Sequence, residues 1–264
     1  MKNYYIRVKT EEQFHAAVSW GKAESIIAEP SWAAAILQKR EKQHKKADLY
    51  VCLPDVMKQA KVRVLEKIIE NTSGRAGLVI KNPDELGLVM KLGFEGPLIG
   101  DSFLYACNSE SFDLYRRLCP DMMFVSGDEL TDEELKQAVR GMSGRIIYKG
   151  YGYQPLMITS QCLLKNQGKC SGGRYRQTDM LRFRNDHGDT FFSQSSCDMC
   201  YSVIYNGQKT FMLDRLDTIP FDNIMLDFTI EDRAQVENIL GFIDNPDGRM
   251  IGNTTRGHHY KGVE

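Results

Sequence analysis

The chain has 264 residues, 42% of them hydrophobic and 26% charged, with 34 Lys and Arg against 35 Asp and Glu. That balance excludes a globally basic nucleic-acid binder, and no apolar run approaches the ~20 residues a membrane-spanning helix needs. The N-terminus MKNYYIRVKTEEQF lacks an apolar leader core, and the cysteines number seven, so reduced thiols in a cytoplasmic protein are expected rather than a disulfide framework.

Eight short β-branched apolar runs recur along the chain. They are YYIRV from Tyr4, SIIAEP from Ser25, DLYVCLP from Asp48, GLVIKN from Gly77, GPLIGD from Gly96, MMFVSG from Met122, RIIYKG from Arg145 and NIMLDFT from Asn223. The connections between the first seven are of helical character. TEEQFHAAVSWG places Phe14, Ala17 and Val18 at helical spacing, and TDEELKQAVRG opens with Thr131 and Glu134 spaced as a capping box. Eight βα units in about 250 residues is the rhythm of an α/β fold of the TIM type, a (β/α)8 barrel. A doubly wound open sheet is the rival, since periodicity does not show closure. The basic run KREKQHKK, Lys39 to Lys46, is expected to be a solvated helix end.

Between the seventh and eighth runs lie about seventy residues where a single helix would suffice, so residues 151–215 read as an inserted segment within one barrel domain spanning 1–264. Its later part, DTFFSQSSCDMCYSVIYNGQKTFML, alternates like a β-hairpin with Asn206-Gly207 as the turn signal. The insert holds Cys162, Cys170, Cys197 and Cys200. A CDMC pair can point two sulfurs at one ion, and a second pair brought alongside completes a four-thiolate site for zinc or a four-iron four-sulfur cluster. Glycines flanking Cys170 supply the dihedrals that wrapping a metal demands. Cys52, Cys107 and Cys119, in or beside apolar runs, read as small buried hydrophobes.

Several segments together resemble the collagenase-like peptidases, family thirty-two of those with unknown mechanism. In YGYQPLMITSQC the resemblance is carried by Gly152, Pro155, Leu156, Met157 and Cys162, and in GDSFLYACNS by Asp101, Leu104 and Asn108. VSGDEL contributes Ser126, Glu129 and Leu130, and MLDFTIED contributes Leu226, Asp227, Phe228, Thr229 and Glu231. The tail TTRGHHYKGV is similar to the family's terminal segment. The resemblance implies a TIM-type barrel, like the later barrel of larger members, with an iron–sulfur cluster or zinc on the four cysteines. It implies hydroxylation or other modification of RNA or another aromatic substrate, with a homologous partner protein or further domains. The family name implies a peptidase acting on peptide substrate, and a barrel braced by structural zinc is the non-enzymatic alternative. The sequence departs from the family pattern at Tyr105, at Asp55, where a basic residue is expected, and in RND from Arg184 to Asp186.

No GxSxG elbow and no HExxH motif occurs. The carboxyl ends of the apolar runs instead offer Glu29, Lys81, Asp101, Ser126, Glu129 and Asp227. Asp101, Asp227 and Glu129 are the candidate catalytic residues. Lys81, Asn108, Arg256, His258 and Tyr260 are candidates to bind substrate, the last three because a basic, aromatic tail can hold a phosphate or stack on a base.

Overall fold

The computed structural model describes residues 1–30, 33, 37, 47–139, 141–170, 180–197, 199–246 and 252–261. All eight expected strands form: β1 (Asn3–Val8), β2 (Ala23–Ala28), β3 (Asp48–Cys52), β4 (Gly77–Ile80), β5 (Leu98–Gly100), β6 (Met123–Val125), β7 (Ile146–Thr159) and, after the insert, β11 (Asn223–Asp227). Each pairs in parallel with the next. β11 closes the ring by pairing with β1 through Tyr5↔Met225 and with β7 through Ile147↔Asn223. The chain is therefore a closed eight-stranded TIM-type barrel and not an open sheet.

Helices cover the outside, and their ends follow local rules. In α1 (Glu11–Trp20) the Thr10 hydroxyl accepts from the Gln13 N–H, and Gly21, at φ 71°, ends the helix in a conformation that favours glycine. α2 (Val62–Thr72), α3 (Pro83–Lys91), α4 (Ser109–Leu118) and α5 (Asp132–Ala138) follow strands three to six. α5 opens on the expected Thr131–Glu134 capping box. The basic run Lys39–Lys46 and most of the second connection lie outside the described residues. α7 (Arg233–Asp244) follows β11 and packs on α1, sealing the junction of first and last strands.

The seventh connection differs. β7 runs 14 residues, leaving the barrel after Gly152, and its second half pairs antiparallel with β10 (Tyr201–Phe211). α6 (Leu163–Asn166), β8 (Leu181–Arg184) and β9 (Thr190–Ser196) complete the insert as an antiparallel β7–β10–β9–β8 sheet. β12 (Thr254–Thr255) adds to β10 in parallel.

The hairpin forms, but its turn is not at Asn206-Gly207. The chain reverses between Ser196 and Tyr201, at the CDMC motif itself. Asn206 and Gly207 instead stay within β10, where the register against β7 shifts between Tyr205 and Lys209. The Asn206 side chain accepts from the Gln208 N–H at 3.1 Å, and a Cβ on Gly207 would stand 2.0 Å from the Thr190 carbonyl oxygen. The turn signal has been spent on a bulge in a strand with a neighbour on each side.

Candidate functional site

Strand residues alternate in direction, so one set from the eight strands points into the barrel. Tyr5, Ile27, Tyr50, Cys52, Val79, Ile99, Val125, Ile147 and Met225 form that interior core. Two residues further toward the carboxyl end, the same face carries Arg7 after Tyr5, Glu29 after Ile27, Lys81 after Val79, Asp101 after Ile99, Lys149 after Ile147 and Asp227 after Met225. An apolar plug thus gives way to a layer of charges on six of the eight strands. This is the end at which such barrels carry their active sites.

The charges are paired. Arg7 donates from one terminal nitrogen to Asp227 Oδ2 at 3.1 Å and from the other to Asp101 Oδ2. Lys81 Nζ donates to Asp55 Oδ1 and Lys149 Nζ to Asp128 Oδ2, each at 2.6 Å. Burial alone would raise the Asp101 carboxyl, but Arg7, Lys81 and Lys149 outweigh it and hold it down at about 2. Asp55 is likewise held below its ordinary range, because Lys81 and Lys9 overcome its burial. The Cys52 thiol, at the floor of this layer, is pushed up to about 12 by burial, against the pull of Lys81 and Arg7. Among the described residues, Arg7 Nε and Asp227 Oδ1 are buried without a hydrogen-bond partner.

The β9–β10 hairpin stands over this mouth. The Tyr201 hydroxyl donates to Asp55 Oδ2 at 2.8 Å and accepts from the Asp55 N–H at 2.9 Å. Lys9 Nζ donates to Gln194 Oε1 and to the Tyr205 hydroxyl. Beside the hairpin tip is a recess of about 690 Å³, lined by Cys162, Cys170, Cys197 and Cys200 together with Glu29, Lys58, Lys61 and Lys165 and a wall of Pro54, Val64, Ile68 and Met199. Lys58 Nζ donates to the Cys200 carbonyl at 2.6 Å. None of the seven cysteines is in a disulfide. The four thiols share the recess without converging: among the described residues, no three Cys, His, Asp or Glu side chains are grouped closely enough to hold a metal ion. The glycine-rich stretch that follows Cys170 lies outside the described residues.

Of the residues singled out from sequence, Asp101, Asp227 and Lys81 are brought together at the mouth. Ser126 joins them, its hydroxyl accepting from the Lys149 N–H at 3.0 Å. Glu129 is exposed, and the carboxylate of that loop which reaches the mouth is Asp128. Asn108 caps α4, accepting from the Ser111 N–H at 2.9 Å. Arg256 forms a two-pronged pair with Asp214 and donates to the Phe211 carbonyl, while the exposed Tyr260 meets Arg215. His258 is half-buried next to His259, whose ring packs on Tyr148 and bonds Asp132. Tyr148 alternates with the inward Ile147 and Lys149, so the tail fastens to the outside of β7, away from the mouth. Sequence reasoning missed Arg7, Lys9, Lys149, Tyr201 and the pairing role of Asp55. A signal for two of them was present: Arg7 and Lys149 interrupt apolar runs of strands buried on both faces, and such a charge is there to meet another.

No known protein family matches the chain, and no curated protein sequence does. Among solved structures it is similar to O-succinylbenzoate synthase from Thermosynechococcus elongatus BP-1, complexed with Mg in the active site, at 13% identity over 56% of this chain and 52% of that one, with a TM-score of 0.40. It is also similar to QR15, an aldolase, at 13% identity over 56% of this chain and 78% of that one, with a TM-score of 0.37. The matched region thus spans about half the length of the synthase. Neither likeness bears on chemistry, and the barrel is established by its own strand pairing.

Proposed function

We propose that this barrel is a cofactor-dependent enzyme that modifies an aromatic substrate, with hydroxylation of an RNA base as the leading reaction. Cys162, Cys170, Cys197 and Cys200 would hold a four-iron four-sulfur cluster or zinc. One observation carries the reading: four cysteines separated by as many as 38 positions (Cys162 to Cys200) line one recess at the carboxyl-terminal face, while Cys52, Cys107 and Cys119 lie elsewhere. The donor set fits the group, since thiolates with apolar walls suit iron–sulfur clusters and zinc and suit magnesium or calcium poorly. The resemblance to collagenase-like peptidases supports the same ligands.

A bound cluster would supply electron transfer or radical chemistry, and zinc would supply a Lewis acid. The residues of the chain have separate tasks. Arg7 keeps Asp101 ionised and holds Asp101 and Asp227 in fixed positions, and Asp227 Oδ1, with its lone pairs uncommitted among the described residues, is the acceptor available to a substrate proton. Lys58, Lys61 and Lys165 give the recess a positive rim that favours an anionic substrate such as RNA.

Anaerobic purification followed by metal and sulfide analysis and a visible spectrum tests the proposal. Iron with acid-labile sulfide, lost in Cys162→Ser and Cys197→Ser, is the expected result. Stoichiometric zinc would move the reading to a structural brace or to hydrolysis. Gelatin cleavage abolished by Cys197→Ala would then favour the peptidase. A chain that takes up neither metal, even after reconstitution, would overturn the site.

A further inference from the structure

The hairpin that carries Cys197 and Cys200 at its tip also closes the barrel. Its pairing, Tyr201↔Ser196, Val203↔Gln194 and Tyr205↔Phe192, puts Tyr201, Tyr205 and Gln194 on one face. That face is bound to the mouth at two points. Lys9, at the end of β1, donates to Gln194 at 2.9 Å and to Tyr205 at 2.8 Å. Asp55, just past β3, bonds Tyr201 through both its carboxylate and its N–H, and Lys81 from beyond β4 holds the other carboxylate oxygen. Beneath these contacts Lys81, Asp101, Arg7 and Asp227 are 5%, 3%, 6% and 7% exposed, and Cys52 is fully buried.

Burying so many charges opposes folding, even when they are paired. A charged layer at the catalytic end of a barrel that stays closed also has no access to substrate. Both observations are reconciled if the closed state is one of two. The fastening is polar and local, which makes it the part of the enclosure that opens at least cost. We propose that Tyr201 and Asp55 are positioning residues of a clasp that holds the β9–β10 hairpin over the barrel mouth and releases it to admit substrate. The clasp is governed from the cysteine recess. Tyr201 follows Cys200 directly, and Lys58 ties the Cys200 carbonyl to the segment beyond Asp55, so fixing the thiols at the tip fixes the hydroxyl that bonds Asp55. This second part rests on the metal site proposed above, whereas the clasp itself does not.

Cys52 is a built-in reporter because it lies under the hairpin. The metal-free chain is treated with N-ethylmaleimide and modification of the Cys52 peptide is followed by mass spectrometry, with amide hydrogen exchange of residues 190–196 measured alongside. In Tyr201→Phe, which removes one oxygen and keeps the ring, Cys52 is expected to label at least tenfold faster than in the wild type, with faster exchange in β9. Gln194→Ala, which loosens the other point, is expected to act in the same direction. Unchanged Cys52 labelling and unchanged exchange in both variants would overturn the clasp, as would a wild-type Cys52 that labels as fast as the exposed Cys200. Adding zinc alone to the wild type is expected to slow Cys52 labelling at least threefold, and to do so less in Tyr201→Phe. Zinc that binds without slowing it would overturn the coupling. A chain that binds no zinc and no cluster overturns the cofactor reading and the coupling with it, and the clasp is then decided by the first comparison.

Discussion

Arg7 and Asp227 are 220 positions apart in the chain and 3.1 Å apart at the barrel mouth, at the closing seam between β1 and β11. The same guanidinium holds Asp101, so one cation bridges two buried carboxylates. Removing it takes away the ion-pair partner of Asp227 and the strongest of the three cations acting on Asp101. Arg7→Met is expected to cost about 3–5 kcal/mol, the usual penalty of breaking a buried pair from one side. The triple variant that also carries Asp101→Asn and Asp227→Asn should recover much of the loss. Urea midpoints of the three proteins measure this, and a single variant as stable as the wild type would show that the pair is not formed.

Glu85, in α3, is fully buried, and its Oε2 accepts from the Lys81 N–H at 2.8 Å. Burial raises its carboxyl to about 8 against an ordinary 4.5, although Lys81 pulls the other way. Between those values the unfolded chain has released a proton that the fold keeps. Stability therefore falls as pH rises from 4.5 to 8, by at most about 1.4 kcal/mol per unit from this group, and it contributes no slope outside that window. Glu85→Gln should flatten the decline, seen as urea midpoints at pH 5 and pH 8 that lie closer together than in the parent.

Two glycines should respond in opposite senses to alanine. At Gly207 the new methyl would meet the Thr190 backbone, which can yield only by shifting β9, and a loss of about 1–3 kcal/mol is expected. At Gly87, inside α3, nothing lies within 4 Å of the added atom, so a gain of about 0.4–1 kcal/mol is expected. Thermal unfolding of the two variants reads both signs.

His259 fastens the tail: its backbone carbonyl accepts from the Asp132 N–H at 3.0 Å, and its ring nitrogen bonds the Tyr148 hydroxyl and Asp132. His259→Ala should free the tail, so that limited trypsin digestion cuts at Arg256 faster than in the wild type. The metal content and the Cys52 labelling rate should not change, because the tail lies outside the barrel. A change in either would mean that the tail bears on the mouth.

Much of this fold was legible in the residues. The eight apolar runs became the eight barrel strands because β-branched sequences bounded by turn residues have little other way to bury both faces. The Thr131–Glu134 box was legible because capping is a contact of three residues' span. The Asn206-Gly207 turn failed for the complementary reason. The same dipeptide serves a hairpin or a bulge, and the choice was made by β7 lying on the far side of β10, with Tyr153 opposite Lys209.

The candidate site divides in the same way. The sequence alone determined that four cysteines fall in one insert after the seventh strand, and that Lys81, Asp101 and Asp227 end apolar runs, since order along the chain and alternation along a strand are local properties. Only the tertiary structure decided which of them meet. Closure of the ring brought Arg7 to Asp101 and Asp227, and folding of the insert brought Tyr201 to Asp55, 146 positions away. It also turned the tail residues Arg256 and Tyr260 to the outside of the barrel. Ion pairs and clasps of this kind are set by strand register and sheet closure, which put distant residues within hydrogen-bond reach and leave no trace in the spacing of either partner.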